Sequence, residues 1–470
     1  MAHIGIIGGG ISGLTVAWQL HQLGHRVDLY EASERIGGAI RTTISPDGWM
    51  AEWGPNTIIE SSRRIKKLVR SLDLDHHKIY PGPLAKKRYI VRNGEMVAVP
   101  SSLYGIITTP MLSAWAKCHL LAEPFRARNQ TLDSETVADF VRRRVGDEFL
   151  KWPIDALVGG IYAGDPERLS VRHAFPRLAL LEEQHGSLIL GQLKGGVRRP
   201  PGSDEIPRNK ADIFSFDKGL QLLPDTLAQK LGESVHTSLA AERLEQTPDK
   251  TRWQIHFSDS RVSSAELDAV IYAGTADGLT GIRMPDKLTE LLYPVAEIPH
   301  PPVTTLTLGF RREQIAHSLD GFGVLIPGTE GFPILGTLFT SSLFPGRAPD
   351  EKHAAVTCFF GGTRQPQIAK MVEGQQIHLA LQSLEKLLGL RGSPLYAHRI
   401  CWPRAIPQYE LDFGRFIRLM DQAEQDYPGL YLAGNYRTGI SVGDTINAAM
   451  DLAVRVHTEI QASKSKRTHT

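Results

Sequence analysis

The chain is poor in cysteine, in excess charge and in long apolar runs, and each shortage excludes something. Three cysteines in 470 residues, Cys118, Cys358 and Cys401, lie far apart with no metal-ligand spacing. They read as reduced thiols of a cytoplasmic protein, not as a disulfide framework. Lys and Arg total 53 against 51 Asp and Glu, so composition implies no polyanionic partner and no nucleic acid is expected. The local clusters Arg142-Arg143-Arg144 and Arg63-Arg64 read as solvated helix faces. No apolar run approaches the ~20 residues a membrane span requires. No secretory leader is expected, because a strand-like run begins almost at Met1. The nearest approach to a membrane contact is 103–125, broken by Pro110, Lys117, His119 and Glu123. It reads either as an amphipathic surface segment or as a packed helix. Neither HExxH nor a Ser/His/Asp pattern occurs, and no metal is expected.

The first 52 residues carry the strongest pattern that is present. His3-Ile4-Gly5-Ile6-Ile7 leads as a strand into Gly8-Gly9-Gly10-Ile11-Ser12-Gly13. A helical stretch follows to about Leu23, then a second strand from Arg26 to Tyr30 that ends in Glu31. Gly8 suits a tight turn, Gly10 lets the backbone approach a pyrophosphate, and Gly13 allows close helix–strand packing. The helix N-terminus faces the phosphates, and Glu31 stands where a carboxylate accepts ribose hydroxyls. A lone glycine loop says little; strand, helix and acid together predict a dinucleotide site that includes Gly9, Ile11, Ser12 and Ala32.

The continuation decides which dinucleotide. Arg35-Ile36-Gly37-Gly38 and, after Arg41, Glu52-Trp53-Gly54-Pro55-Asn56 supply small residues that a nicotinamide cofactor does not need. FAD runs on past its pyrophosphate, and such residues let the chain pass its ribityl and flavin portions. An ordinary loop turn also satisfies 35–38, but FAD explains the whole spacing, with Arg35, Gly38, Ala39, Gly54, Pro55, Asn56 and Thr57 beside it. No second GxGxxG with strand and acid occurs. The substrate is therefore expected to reduce the flavin, and a diffusible acceptor such as oxygen to reoxidise it.

Along the chain, 1–85 reads as the first part of an FAD-binding domain and 86–100 as a hairpin about Asn93-Gly94. Residues 101–190 are helical in pattern; Val137 to Leu150 has helical period, and Pro153 suits the first turn of a following helix. Residues 191–211 collect Gly, Pro and mixed charge and read as a mobile loop. Residues 212–275 return to the FAD domain, and 276–412 form a strand-rich substrate domain. Residues 413–462 complete the FAD domain, with a helix starting near Ser441 or Val442, and 463–470 read as a disordered tail.

Further segments carry a resemblance. Gly159-Gly160-Ile161-Tyr162-Ala163-Gly164-Asp165-Pro166, Gln184-His185-Gly186-Ser187-Leu188-Ile189 and Gly336-Thr337-Leu338-Phe339 all resemble the oxygen-dependent protoporphyrinogen oxidases. So does Gly434-Asn435-Tyr436-Arg437-Thr438-Gly439-Ile440-Ser441-Val442-Gly443, and the likeness runs in order from Ile4 to about Val456. It implies an α/β fold similar to monoamine oxidase: a discontinuous Rossmann-like FAD domain, a mixed-sheet substrate domain and a helical domain. It implies oxidation of protoporphyrinogen IX by FAD and oxygen in three two-electron steps, with hydrogen peroxide as by-product. Each step is expected to send a hydride from a meso carbon to flavin N5 and a pyrrole proton to water; no catalytic base is expected, and His173 and His185 read as core residues.

The resemblance also assigns roles. Arg88 is implied to hold a propionate, for which a planar guanidinium fork is suited. Leu325, Leu338 and Phe359 are implied to contact the macrocycle. At Gly160 and Gly164 the backbone is implied to skirt the substrate, where a side chain would project into the pocket. Val235, Trp402, Ile440, Ser441 and Val442 are implied cofactor contacts. Taken singly, Arg88 is equally a surface hairpin residue, the apolar three are core, and 439–443 is a capped helix start.

Three other readings stay open. The same scaffold serves coproporphyrinogen III oxidases, although Arg88 and Leu338-Phe339-Thr340-Ser341-Ser342 look closer to plant-like protoporphyrinogen enzymes. It serves amine oxidases and desaturases, and it serves a non-catalytic escort protein that has lost flavin. The family also brings expectations of peripheral membrane contact, a homodimer and hand-over of product to ferrochelatase.

Overall fold

Ile4, Ile6 and Ile7 are buried, and the strand they form, His3–Ile7, is the middle of a parallel sheet. A computed structural model of the chain describes residues 1–100, 105, 108–109, 111–129, 131–197, 204–207, 211–259 and 264–467, with side chains as far as 462. Among these, the sheet runs Val235–His236, Arg26–Tyr30, His3–Ile7, Ala269–Tyr272, Leu430–Leu432. Three distant stretches of chain thus build one sheet. Its strands are apolar on both sides because both faces are covered. On one face, Leu14, Val16 and Leu20 of the helix Ile11–Gln22 share a core with Leu223 and Leu227 of Leu222–Leu231 and with Ile446 and Ala449 of Val442–Arg467.

A second sheet of seven strands runs Tyr396–Trp402, Val303–Arg311, His353–Gly361, Gly336–Leu338, Gly321–Leu325, Lys87–Arg92, Glu95–Ala98. The last two form the expected hairpin, with positive φ at Asn93 and Gly94 as a tight two-residue turn requires. Even-numbered residues of the long strands, among them Leu306, Leu308, Val356, Cys358 and Phe360, face the helix Glu373–Leu388 through its Ala380 and Leu384. The odd-numbered face is left for the site.

Several local expectations change in the helical region. Gly146, at φ +93°, ends the helix Val137–Arg144 short of Leu150. Pro153 lies inside a π-helical turn, Leu150–Ile154, which runs directly into the helix Asp155–Tyr162. Such a widened turn accommodates a residue without an N–H. Of the cluster 142–144 only Arg142 is on a solvated face. Arg144 is fully buried against Glu123 at 2.8 Å, and Arg143 forks onto both Glu135 and Glu182 at 2.8–2.9 Å. Glu123 also accepts the Ser187 hydroxyl and the Leu188 and Ile189 N–H groups, so a carboxylate caps the helix Leu188–Leu193.

Within 191–211, residues 198–203 and 208–210 lie outside the described residues. The part between them is held: Asp204 O accepts from Arg63 N and Ser61 O from Ile206 N. The helix from Val442 continues to Arg467, so 463–467 extend it where the sequence reads as a disordered tail; 468–470 lie outside the described residues. Residues 103–104, 106–107 and 110 of the candidate membrane segment 103–125, and 101–102 before it, are likewise not described. Its remainder includes the helix Ala114–Leu121 and the short turn Glu123–Phe125. No described helix is long and apolar enough to cross a membrane.

Candidate active site

The nucleotide end is built by close approach. Gly8 adopts φ +111°, and a Cβ there would stand 2.7 Å from the Ala273 backbone. A Gly13 Cβ would come within 2.0 Å of the Gly8 carbonyl oxygen, so strand and helix touch at that point. Gly10 differs: nothing but its chain neighbours lies within 4 Å of where its Cβ would stand, and no side chain caps the helix beginning at Ile11 and Ser12. Unclaimed helix N-terminal amides beside open space form an anion cradle. Glu31 flanks it. Its Oε2 accepts the Gly9 N–H at 2.7 Å, its Oε1 accepts from Ser33, and its own N–H donates to His236 O, which fixes it beside Val235.

The second glycine turn closes on the first. Gly37 N–H donates to Gly9 O at 2.8 Å, and a Gly38 Cβ would lie 3.2 Å from Gly10 Cα. Arg35 secures the turn by donating to Gly38 O at 2.8 Å. Gly54 sits where a Cβ would meet Ala39 O at 2.6 Å. Asn56 donates to Gly54 O and leaves Oδ1 buried without a partner. A buried acceptor without a donor, beside an open glycine cradle, fits an extended dinucleotide. Ala32, Pro55 and Thr57 belong to the same loops. At the far end of the chain, Ser441 Oγ accepts from Asp444 N at 3.1 Å and donates to Asp444 Oδ2 at 2.6 Å, capping the helix that Val442 opens after Ile440.

One carbonyl joins this region to the second sheet. Trp53 O accepts Trp402 Nε1–H at 2.8 Å and the Thr305 hydroxyl at 3.2 Å. Beyond that joint, strand register collects the predicted substrate residues. Ile90, Leu325, Gly336, Phe359, Thr305 and Ile400 are successive partners across six strands. Partners share a face, and so do residues two apart along a strand, which adds Leu338, Thr357 and Arg88 to it. Gly336 puts no side chain between Leu325 and Phe359, and Leu325 Cδ2 leans to 3.4 Å from where its Cβ would stand, so the row is a low apolar floor. The hydroxyls of Thr307, Thr357 and Thr340 link along one edge at 2.9 and 3.0 Å.

Phe322 belongs to this face too, and sequence reasoning missed it. Gly321 pairs with Lys87 and Val324 with Tyr89, so Phe322 and Gly323 both oppose Arg88 in a bulge. The Phe322 ring then lies 5.4 Å from the Arg88 guanidinium carbon. The signal was the pair of glycines flanking Phe322, since glycine inside a strand marks a bulge.

The helix Asp155–Tyr162 meets this floor. A Gly160 Cβ would come within 2.5 Å of Leu325 Cδ2, so bare backbone rests on that leucine. Gly164 is otherwise placed. Its Cβ would run into Gln408 Oε1 at 2.5 Å and Leu169 at 3.2 Å, so packing, and not room for substrate, requires that glycine. Gln408 is buried and donates to Tyr162 O at 2.8 Å.

The histidines sit elsewhere. His173 packs edge-on against Phe413, where burial lowers its pKa, with the nearby Asp133 carboxylate opposing. His185 Nε2 meets Gly196 O at 3.1 Å. Neither lies on the floor formed by Leu325, Leu338 and Phe359. The arrangement offers an open glycine cradle, an apolar strand face joined to it through Trp53 and one arginine on that face, a set that suits a large flat anionic ligand.

The sequence matches the family of flavin containing amine oxidoreductases over residues 11–457. It is 34% identical to protoporphyrinogen oxidase 2 of Arabidopsis thaliana, covering 96% of this chain and 93% of that one. It is 27% identical to coproporphyrinogen III oxidase of Bacillus subtilis over 95% of this chain and 96% of that one. Cyclohexylamine oxidase from Brevibacterium oxydans superposes with a TM-score of 0.68 at 17% identity, covering 98% and 99%, which shows the shared fold alone. The chain therefore belongs to the FAD-dependent amine oxidase-like flavoproteins and, within them, to the protoporphyrinogen oxidase family.

Proposed function

We propose that this enzyme oxidises protoporphyrinogen IX to protoporphyrin IX, with oxygen as acceptor and hydrogen peroxide as by-product. The observation that carries the reading is the single sheet face shared by Arg88, Leu325, Leu338 and Phe359, bordered at Leu325 by the Gly160 backbone. When bound, FAD supplies the two-electron acceptor that oxygen then restores. Gly8, Gly10, Gly13 and Glu31 would hold its adenosine and phosphates, and Trp402 and the capped helix at Ser441 its other end. Leu325, Leu338 and Phe359 support the flat face of the macrocycle, the Gly160 backbone borders it at Leu325, and Arg88 takes a propionate through its fork.

The division into an FAD domain (1–85, 212–275, 413–462), a substrate domain (86–100, 276–412) and a helical domain (101–190) is proposed on the same grounds. The helical part carries a route to a membrane surface. Trp115, Leu121, Phe125 and Leu193 are 73, 67, 91 and 70% exposed on neighbouring elements tied by Glu123. We assign peripheral contact with the cytoplasmic membrane to this patch; Phe125→Glu should reduce co-sedimentation with liposomes. A homodimer and delivery to ferrochelatase rest on the family resemblance.

The decisive experiment follows porphyrin fluorescence and oxygen uptake with protoporphyrinogen IX and coproporphyrinogen III in parallel. Faster turnover of the dipropionate is expected. Equal or greater turnover of coproporphyrinogen assigns the other substrate, and a colourless protein without flavin absorbance removes the oxidase reading.

A further inference from the structure

Asp155 opens the helix that carries Gly160, and its carboxylate holds two loops of the seven-stranded sheet. Oδ2 accepts the Gly328 N–H and an Arg364 Nη1–H, both at 2.7 Å, and Oδ1 accepts from Arg364 Nη2. Gly328 follows the strand that ends in Leu325, and Arg364 follows the strand that contains Phe359. The same turn grips the other end of the helix. Ala163 takes φ +48°, and its carbonyl accepts the Thr363 N–H at 2.8 Å. A Gly362 Cβ would stand 2.3 Å from that oxygen.

The two charged side chains are 15% and 20% exposed, where a forked guanidinium–carboxylate pair is strong and directional. Ala156, Val158, Gly159 and Tyr162 form the buried side of this helix, whereas Leu157 and Ile161, on the same side as Gly160, are 36% and 37% exposed, so apolar packing holds it from the far side only.

We infer that Asp155 and Arg364 are a positioning pair that fixes where the Gly160 backbone meets Leu325, and so the edge that this helix gives the substrate face. This rests on reading that face as the porphyrinogen site. Neither residue belongs to the nucleotide segments or the substrate floor. Their loss lets the helix shift without unfolding it. A shift of about an ångström in a positioning element is enough to change rates or binding by one to two orders of magnitude.

The test compares wild type with Arg364→Gln, Arg364→Lys, Asp155→Asn, the double variant D155N/R364Q and Gly328→Ala. For each, KM and kcat for protoporphyrinogen IX, Kd for protoporphyrin IX by fluorescence titration, flavin content and Tm are measured. Arg364→Gln should raise KM and Kd on the order of tenfold, with kcat within about twofold and full flavin. Arg364→Lys, which keeps the charge but not the fork, should fall between. The double variant should be no worse than the worse single one. Gly328→Ala keeps both charges but places a Cβ 2.7 Å from Arg364 Nη1, and should shift KM in the same direction. Unchanged KM and Kd in folded Arg364→Gln and Gly328→Ala overturn the pair's role, as do effects that multiply in the double variant. A wild-type protein that neither turns over nor binds a porphyrin overturns the site reading first, and the pair's role with it.

Discussion

The Arg88 guanidinium lies over the ring of Phe322, and a bulge of one residue in the neighbouring strand is what brings them together. Without the bulge, strict alternation would turn Phe322 to the opposite face, with Val324. An exposed hairpin arginine would otherwise sample many rotamers. The ring face restrains it by cation–π attraction and leaves the fork outward.

Arg88→Ala should raise the porphyrinogen KM roughly ten- to a hundredfold, the size of a charged hydrogen bond worth about 1.5–3 kcal/mol. Phe322→Leu should raise it only about two- to fivefold, since an exposed cation–π contact contributes about 0.5–1 kcal/mol. Flavin absorbance should stay constant in both. A KM indifferent to Arg88 would sink the propionate assignment.

Gly10 and Gly13 should respond differently to the same added methyl. At Gly13 it overlaps the Gly8 carbonyl oxygen, so Gly13→Ala should lower Tm as well as flavin content. At Gly10 it meets only open space, so Gly10→Ala should fold normally yet bind flavin poorly. Circular-dichroism melts and flavin absorbance on both proteins decide this, and equal behaviour would contradict the cradle.

Glu182 should make the helical region acid-sensitive. Burial alone would raise its pKa, but bonds from Arg143 and the Asn129 N–H outweigh it and hold the carboxyl below its ordinary value. Folding thus favours the ionised form. The stabilisation is complete above the unfolded pKa of about 4.3 and fades as pH falls through the lower folded value. Glu182→Gln, which leaves the arginines short of a carboxylate, should cost about 3–5 kcal/mol near neutrality. Its Tm deficit against wild type should narrow on acidification; a deficit independent of pH would refute the assignment.

Thiol reactivity should separate Cys118 from Cys358. Cys118 is exposed, whereas Cys358 is fully buried and burial pushes its thiol up to about 12, the Thr337 hydroxyl opposing only in part. Alkylation of the native protein, read by mass spectrometry, should modify Cys118 early and Cys358 only on unfolding. Early labelling of Cys358 would contradict its place beneath the sheet.

The dinucleotide end was legible because its requirements are local. Gly8, Gly10, Gly13 and Glu31 lie within one strand–helix–strand unit, and sterics at each glycine can be read from spacing alone. The substrate face was legible only through family likeness. Leu325, Leu338 and Phe359 become neighbours through register between strands, and no periodicity distinguishes them from the core residues beside them. Arg144 was misread because a run of three arginines in a helix suggests solvent, whereas Glu123 and Glu182, distant in sequence, turn part of the run inward. Asp155 and Arg364 were invisible for the same reason, being 209 positions apart.

The nucleotide sheet takes its central neighbour from Ala269–Tyr272 and its outer strand from Leu430–Leu432. Synthesis must therefore pass Leu432 before this sheet is complete. Until Ala269–Tyr272 is made, His3–Ile7 lacks its partner on one side, an unpaired apolar edge open to wrong associations. Nascent chains of this protein should depend on holding chaperones throughout synthesis, and flavin supply can rescue only the completed chain.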